Sequence, residues 1–322
     1  MFGPERIWSP TQLEDYANCP FRFFLDRVVR VTPFPEVDPT LSPAQRGSLI
    51  HATLCEFYLK WCADGPRRVS SQDLTEASDL LATIGIEKSG EYRYQSPVWH
   101  ATVASLLGYG GIPGIYERFL VHEAGKETSL VPEKFELPIG ATQNLSDDKT
   151  GYILLESDEG EPVRIRGQID RVDITSDGQF AIIDYKTGSN YPNGERIKEG
   201  KALQLPLYLL ALEKMHEKDD QPRIGIGGSY LEISRKIKQS WPLLDPEKKL
   251  VAGVSSRSKG TPDFRKVTRG SLAAAQRYIS GIRSGIFPVT GDKCKISTYC
   301  PYSGICRFDR FRVIDQEEEG DE

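Results

Sequence analysis

The chain has 322 residues, 39% hydrophobic and 27% charged, with a formal net charge of −5. That length allows one large domain or two ordinary ones, and the composition excludes a disordered chain. No run approaches the ~20 apolar residues of a membrane helix, and the N-terminus MFGPERIWSP lacks the apolar region of a signal peptide, so a cytoplasmic protein with no membrane partner is expected.

The elements read as follows. In SPTQLEDY, Ser9 suits an N-cap, Pro10 the first helical position and Gln12 the capping-box position. SPAQRGSLIHATLCEFYLKW repeats that signature with Ser42, Pro43 and Gln45. Residues 70–123 read mainly helical, interrupted by YGGIPG. Strand patterns follow in VPEKFELPI, YILLES, VRIRGQIDRVDI and FAIIDYKT, then a helix in ALQLPLYLLALEKM and a strand in IGIGGSYLEIS. A basic loop, VSSRSKGTPDFRK, precedes a last helix, SLAAAQRYISGIRSG, a cysteine-rich segment and an acidic tail. Helices first, then antiparallel strands with a crossing helix, predict an α/β core with a helical insertion.

The hairpin carries the chemistry. SDG, with Gly178 third, suits a three-residue turn closed by a left-handed glycine. That register pairs Thr175 with Gln179 and sets Asp170 opposite Asp184, with Lys186 on the same face. A two-residue turn would put the aspartates on opposite faces. Facing carboxylates repel unless something neutralises them, and a hard divalent cation such as Mg²⁺ or Mn²⁺ does so. A solvated hairpin end with an Asp–Lys pair is the other reading.

GQIDRVDI…AIIDYKTGS resembles the PD-(D/E)XK nuclease superfamily, in its RecB-like branch. RGSLIHATLCEFY resembles that branch's histidine motif and QLPLYLLAL its Gln/Tyr helix. SPTQLEDYANCPFRFFL and IRSGIFPVTGDKCKISTYCPYSGICRF resemble the terminal segments of AddB-type iron–sulfur nuclease domains. The resemblance runs from about Ser9 to Phe308, with residues 63–130 contributing little. It implies a restriction-endonuclease-like core, a mixed sheet flanked by helices. The expected organisation is one nuclease domain over 1–322. Residues 9–62 would be N-terminal helices, 63–130 a helical insertion, 131–245 the catalytic core, 270–308 the C-terminal helix and cysteine segment, and 315–322 the tail.

By the same resemblance, His51, Asp170, Asp184 and the Tyr185 backbone carbonyl would ligate metal. Lys186 would position the attacking water. Gln204 and Tyr208, on one helix face, would orient Lys186 or contact DNA. Glu133 aligns with an acidic position on the first strand, or is a plain surface glutamate. Arg171 is expected to be structural or a phosphate contact.

Cys19, Cys294, Cys300 and Cys306 would hold a [4Fe–4S] cluster joining the terminal segments. In the chain-entropy picture closing so long a loop contributes on the order of 5 kcal/mol. The family spacing C-x2-C-x5-C is broken here by Ser297, with Cys294 three residues earlier. A structural Zn²⁺ on the same thiolates, or plain thiols, therefore stays open. Cys55 and Cys62 read as small core residues.

Arg257, Lys259, Arg265, Lys266 and Arg269 cluster before the last helix, as a solvated surface or as the lining of a DNA channel. Tyr191, just after KTGSN, could stack on a base. The function expected is a metal-dependent DNA nuclease, a single-strand exonuclease of end processing or recombinational repair. The chain has no Walker A sequence, so unwinding would need a helicase partner, or the chain acts alone. The alternative is a non-catalytic DNA-binding or scaffold module of a helicase–nuclease complex. A zinc-stabilised hydrolase of another substrate lacks a motif such as HExxH.

Overall fold

Ser9 caps the first helix as its sequence predicts. Its hydroxyl accepts the Gln12 N–H at 3.2 Å while the Gln12 side chain accepts the Ser9 N–H at 3.3 Å. The protein is described here by a computed structural model, over residues 2–31, 43–92, 96–140, 151–157, 160–289 and 300–306.

Strand β1 (Ile7–Trp8) leads into α1 (Pro10–Asn18). Cys19 turns extended, ending α1 and capping α2 (Pro20–Phe23), its Sγ accepting the Arg22 N–H at 3.3 Å. A π-helical turn, Phe24–Val29, continues α2. Then come α3 (Pro43–Trp61), α4 (Leu74–Gly90), α5 (Pro97–Leu107) and α6 (Ile115–Ala124). Ser42, the expected cap of α3, lies outside the described residues. YGGIPG is a hairpin, β2 (Gly108–Tyr109) with β3 (Ile112–Pro113). Its two-residue turn puts Gly110 and Gly111 at φ 58° and 79°, a conformation that favours glycine.

The main sheet follows the insertion. Its strands are β4 (Val131–Ile139), β7 (Gly167–Ile174), β8 (Gln179–Lys186), β9 (Ile224–Glu232) and β10 (Lys238–Leu244), in the order β10-β9-β8-β7-β4. Between β4 and β7 lie β5 (Ile153–Leu155) and β6 (Val163–Ile165), which join β1 in a small sheet ordered β1-β6-β5. The β8 and β9 strands are parallel, joined through α7 (Gly194–Lys198) and α8 (Gln204–Met215), and the other main-sheet neighbours are antiparallel. A long α9 (Phe264–Arg283) and a short α10 (Ser303–Cys306) complete the described chain. The mixed sheet flanked by helices is the expected α/β architecture.

The β7–β8 hairpin has the expected register. Arg171 pairs with Ile183 and Ile174 with Phe180, and Gly178 closes the turn at φ 80°. Strand β8 is buried on both faces, which explains its unbroken apolar run FAII. Phe180 and Ile182 face α8 and α9 with Val172, Leu205 and Leu272. Ile183 and Tyr185 face α3, α4 and α6 with Ile50, Leu54, Leu81 and Phe119. Each such side chain contributes about 1.5–3 kcal/mol on burial. The sheet is thereby clamped between two helical layers, and its polar end is fixed relative to both.

Candidate active site

The paired hydrogen bonds of β7 and β8 end at Arg171 and Ile183. At the next pair, Asp170 and Asp184, the strands part. The Asp170 carboxylate takes over, its Oδ2 accepting the Tyr185 N–H at 2.7 Å. A strand residue presents its N–H and C=O on the same edge, so the Tyr185 carbonyl faces this opening too.

Three strands deliver acids here. The pairs Phe135–Arg171 and Leu137–Ile169 bracket Glu136 opposite Asp170. Glu136 sits at φ 46°, a left-handed conformation that costs a non-glycine residue on the order of 1–3 kcal/mol. From α3, His51 Nδ1 lies 3.4 Å from Asp170 Oδ1 and 3.5 Å from Glu136 Oε1. One ligand atom from each of His51, Glu136 and Asp170 falls within 4.8 Å of the others. Burial alone would lower the His51 pKa, but the two carboxylates outweigh it and push the imidazole up to about 10.

Asp184 stands on the other side of the opening. Burial pushes its carboxyl up to about 7, against the pull of Lys186 and with the added repulsion of Asp170. Lys186 Nζ lies 2.6 Å from Asp184 Oδ2, yet that buried oxygen has no aligned hydrogen bond. Besides Lys186, it can still offer a lone pair to a cation. Oxygen donors and one imidazole nitrogen suit a hard divalent cation such as Mg²⁺ or Mn²⁺, so these residues fit such an ion.

Gln204 bridges the remaining pair. Its amide donates to Asp184 Oδ1 at 2.5 Å and its carbonyl accepts from Lys186 at 3.4 Å. Lys186 also lies over the Tyr230 ring, 5.3 Å from its centre. Gln204 opens α8, whose own N-cap residue, Leu203, supplies no side-chain cap. Glu14 of α1 caps it instead, Oε1 accepting the N–H of Leu203 at 2.6 Å and of Gln204 at 2.8 Å.

Tyr208 does not reach the carboxylates. Its hydroxyl accepts the Gln168 N–H at 3.4 Å and its ring presses on Gly167, so it seats β7 on α8. Arg171 is structural and not available to a phosphate. It is 2% exposed, forks onto Asp173 at 2.5 and 2.7 Å, and donates to Glu123 and Tyr58 at 2.7 Å each. Glu133 is paired with Arg223 at 2.5 and 3.1 Å. The acid that this strand brings to the site is Glu136.

The basic cluster also lies elsewhere. Arg257, Lys259, Arg265 and Lys266 are exposed. Arg265 holds Glu213 at 2.7 Å and the Gly225 carbonyl at 3.1 Å. Glu213 is nine residues along α8 from Gln204, about 14 Å at 1.5 Å per residue. Gly225 pairs with Phe180, at the turn end of β8. Tyr191 packs on Tyr230, ring centres 5.4 Å apart.

Of the cysteines, Cys19 caps α2, while Cys300 and Cys306 flank Tyr302 near the chain's end. Tyr302 is buried, and its hydroxyl donates to the Asp26 carboxylate and the Val31 carbonyl, the latter at 2.9 Å. Asp26 in turn accepts from Arg22, the neighbour of Cys19 in α2, at 3.3 Å. Cys294, Ser297 and the acidic tail lie outside the described residues.

Two site residues escaped sequence reasoning. Glu136 would have emerged from carrying the pairing count one strand further, but no tight turn joins β4 to β7 to anchor that count, because β5 and β6 intervene. Glu14 gives no local sign, because the helix it caps is 190 residues away.

A family model described as the PD-(D/E)XK nuclease superfamily matches residues 7–307. An ATP-dependent helicase/deoxyribonuclease subunit from Caldanaerobacter subterraneus subsp. tengcongensis is 25% identical over 99% of this chain and 32% of its own length. The corresponding protein of Clostridium novyi is 23% identical over 99% of this chain and 32% of its own. The chain thus spans about a third of the length of these curated relatives. A family match over nearly the whole chain, on top of this geometry, means that it belongs to the PD-(D/E)XK nuclease superfamily.

Proposed function

We propose that the chain is a metal-dependent deoxyribonuclease, a single-strand exonuclease of DNA end processing or repair. The observation that carries this reading is the open end of the β7–β8 hairpin. There His51, Glu136 and Asp170 converge beside Asp184, Lys186 and Gln204.

Mg²⁺ or Mn²⁺, held by His51, Asp170, Asp184 and the Tyr185 carbonyl, with Glu136 as a further ligand, would lower the pKa of a water and polarise the scissile phosphate. Hydrolysis joins the water oxygen to phosphorus, breaks one P–O ester bond and leaves a proton on the departing sugar oxygen. Lys186 Nζ orients the water and donates to the phosphate oxygen as charge builds on it. Gln204 holds Lys186 and Asp184 in one arrangement, so that neither has to be ordered during the reaction. The alternative, a non-catalytic DNA-binding module, leaves the Gln204 bridge without a task.

The reading includes a [4Fe–4S] cluster on Cys19, Cys294, Cys300 and Cys306, with structural Zn²⁺ on the same thiolates as its alternative. Tyr302 supports it by docking the cysteine-bearing end on the helices that follow Cys19. It also includes a helicase partner, because the relatives are named as components of a helicase/deoxyribonuclease.

The test is degradation of end-labelled single- and double-stranded DNA with Mg²⁺ or Mn²⁺. Cleavage by the wild type, lost in Asp184→Ala, in Lys186→Ala and in EDTA, supports the reading. Tight DNA binding without cleavage under any metal overturns it in favour of the scaffold module.

A further inference from the structure

The basic loop before α9 lies away from the catalytic opening, so a substrate strand must be held by other cations. The topology supplies them. Ile233 donates its N–H to the Lys186 carbonyl at 2.7 Å, and Glu232 pairs with both Lys186 and Lys238. The turn between β9 and β10 is therefore at the same end of the sheet as the catalytic lysine. Arg235, two residues past Ile233, lies within about 7 Å of it along the chain. Arg235, Lys236 and Lys238 are all exposed. Among the described residues Glu232 makes no ion pair with them, and its carboxylate accepts the Ser234 hydroxyl at 2.7 Å.

Two helices add to this arc. Arg118, near the start of α6, donates to the Arg235 carbonyl at 3.1 Å. On α3, a side chain grown from Gly47 would meet the Thr187 hydroxyl at 3.7 Å, so the N-terminal end of α3 lies against the residue after Lys186. Arg46 is the preceding residue, and its buried Nε has no hydrogen-bond partner. Among the described residues no carboxylate pairs with Arg46, Arg118, Arg235, Lys236 or Lys238. Arg265, by contrast, is already committed to Glu213.

We infer that the β9–β10 turn, with Arg118 and Arg46, is the track for the phosphodiester backbone of a single nucleic-acid strand entering the opening at Lys186. Unpaired cations at an acid-lined centre suit a polyanion, since they gain most from its charge and lose no existing pair. The N-terminal end of α3 lies against Thr187, so the strand meets a wall on that side. This inference rests on the nuclease reading and names the surface through which that reading operates.

The test uses the full chain in EDTA, so that nothing is cut, and a fluorescent oligothymidylate titrated at several salt concentrations. Each lost phosphate contact lowers the slope of log affinity against log salt by about 0.7 for a single strand. The triple variant Arg235→Ala, Lys236→Ala, Lys238→Ala is expected to flatten the slope by about 2 and to bind more weakly at every salt concentration. Arg257→Ala, Lys259→Ala, Lys266→Ala is expected to match the wild type. A triple turn variant with unchanged slope, or a far-end variant that loses as much, overturns the track while a cleaving wild type leaves the nuclease reading standing. A wild type that neither binds nor cuts any nucleic acid overturns both. A duplex oligonucleotide run alongside must bind more weakly than the single strand, and tighter duplex binding overturns the single-strand assignment.

Discussion

Glu14 caps the helix that begins with Gln204, and it does so from α1, at the other end of the sequence. One carboxylate oxygen thus fixes the residue that bridges Asp184 and Lys186. Glu14→Ala is expected to cost about 1 kcal/mol of stability, as for a lost cap, and to lower kcat on the order of ten- to a hundredfold, as for a residue that orients a ligand. Glu14→Gln keeps an acceptor oxygen and is expected to recover most of the rate. Thermal melting with single-turnover cleavage separates the two effects. Equal loss in both variants would refute the capping role.

Glu136 is expected to bind metal although the hairpin motif does not include it. Glu136→Gln removes one charged donor, and Mn²⁺ affinity should fall roughly tenfold or more, because ligand charge sets affinity at such sites. Glu133→Gln, which touches only the Arg223 pair, should leave it unchanged. Calorimetric titration with Mn²⁺ on the uncut protein reads both.

The buried Arg171 network sets an acid limit on folding. Burial alone would raise the Glu123 pKa, but Arg171 and Lys126 hold the carboxyl well below its usual range. A carboxyl depressed in the folded state stabilises it above the unfolded pKa of roughly 4.3, and this contribution is lost as pH falls through the folded value. Glu123→Gln should therefore flatten the fall in stability below about pH 4.3. At neutral pH it should cost about 3–5 kcal/mol, since Arg171 is left buried with less charge opposite it. Urea unfolding at pH 7 and at pH 4 measures both.

The cysteines give a separate prediction. Protein purified without oxygen is expected to be brown and to carry iron, and Cys19→Ser to lose both colour and iron. Colourless protein with one zinc would establish the zinc alternative, and protein with neither metal would leave plain thiols.

What the sequence disclosed follows from the range of each interaction. The β7–β8 register was legible because turn chemistry at Gly178 and side-chain alternation are local, and both place Asp170 against Asp184. The position of Glu136 was not, because no tight turn ties β4 to β7 and its left-handed backbone arises only in the assembled sheet. Arg171 reads as structural or as a phosphate contact, and only α6, which brings Glu123 from 48 residues earlier, decides for the first. The run from Arg257 to Lys266 is dense along the chain, but the fold leaves it at the other end of α8 from Gln204.

The close seat of Tyr208 on Gly167 bears on how this protein can change over generations. A methyl group added at position 167 would come within 2.8 Å of two ring carbons of Tyr208. Gly167 cannot grow while Tyr208 stays, whereas a smaller residue at 208 can come first. A larger residue at 167 demands a smaller one at 208, and any lineage that crosses that step alone would shift β7, and the Asp170 ligand with it, before the second change could compensate.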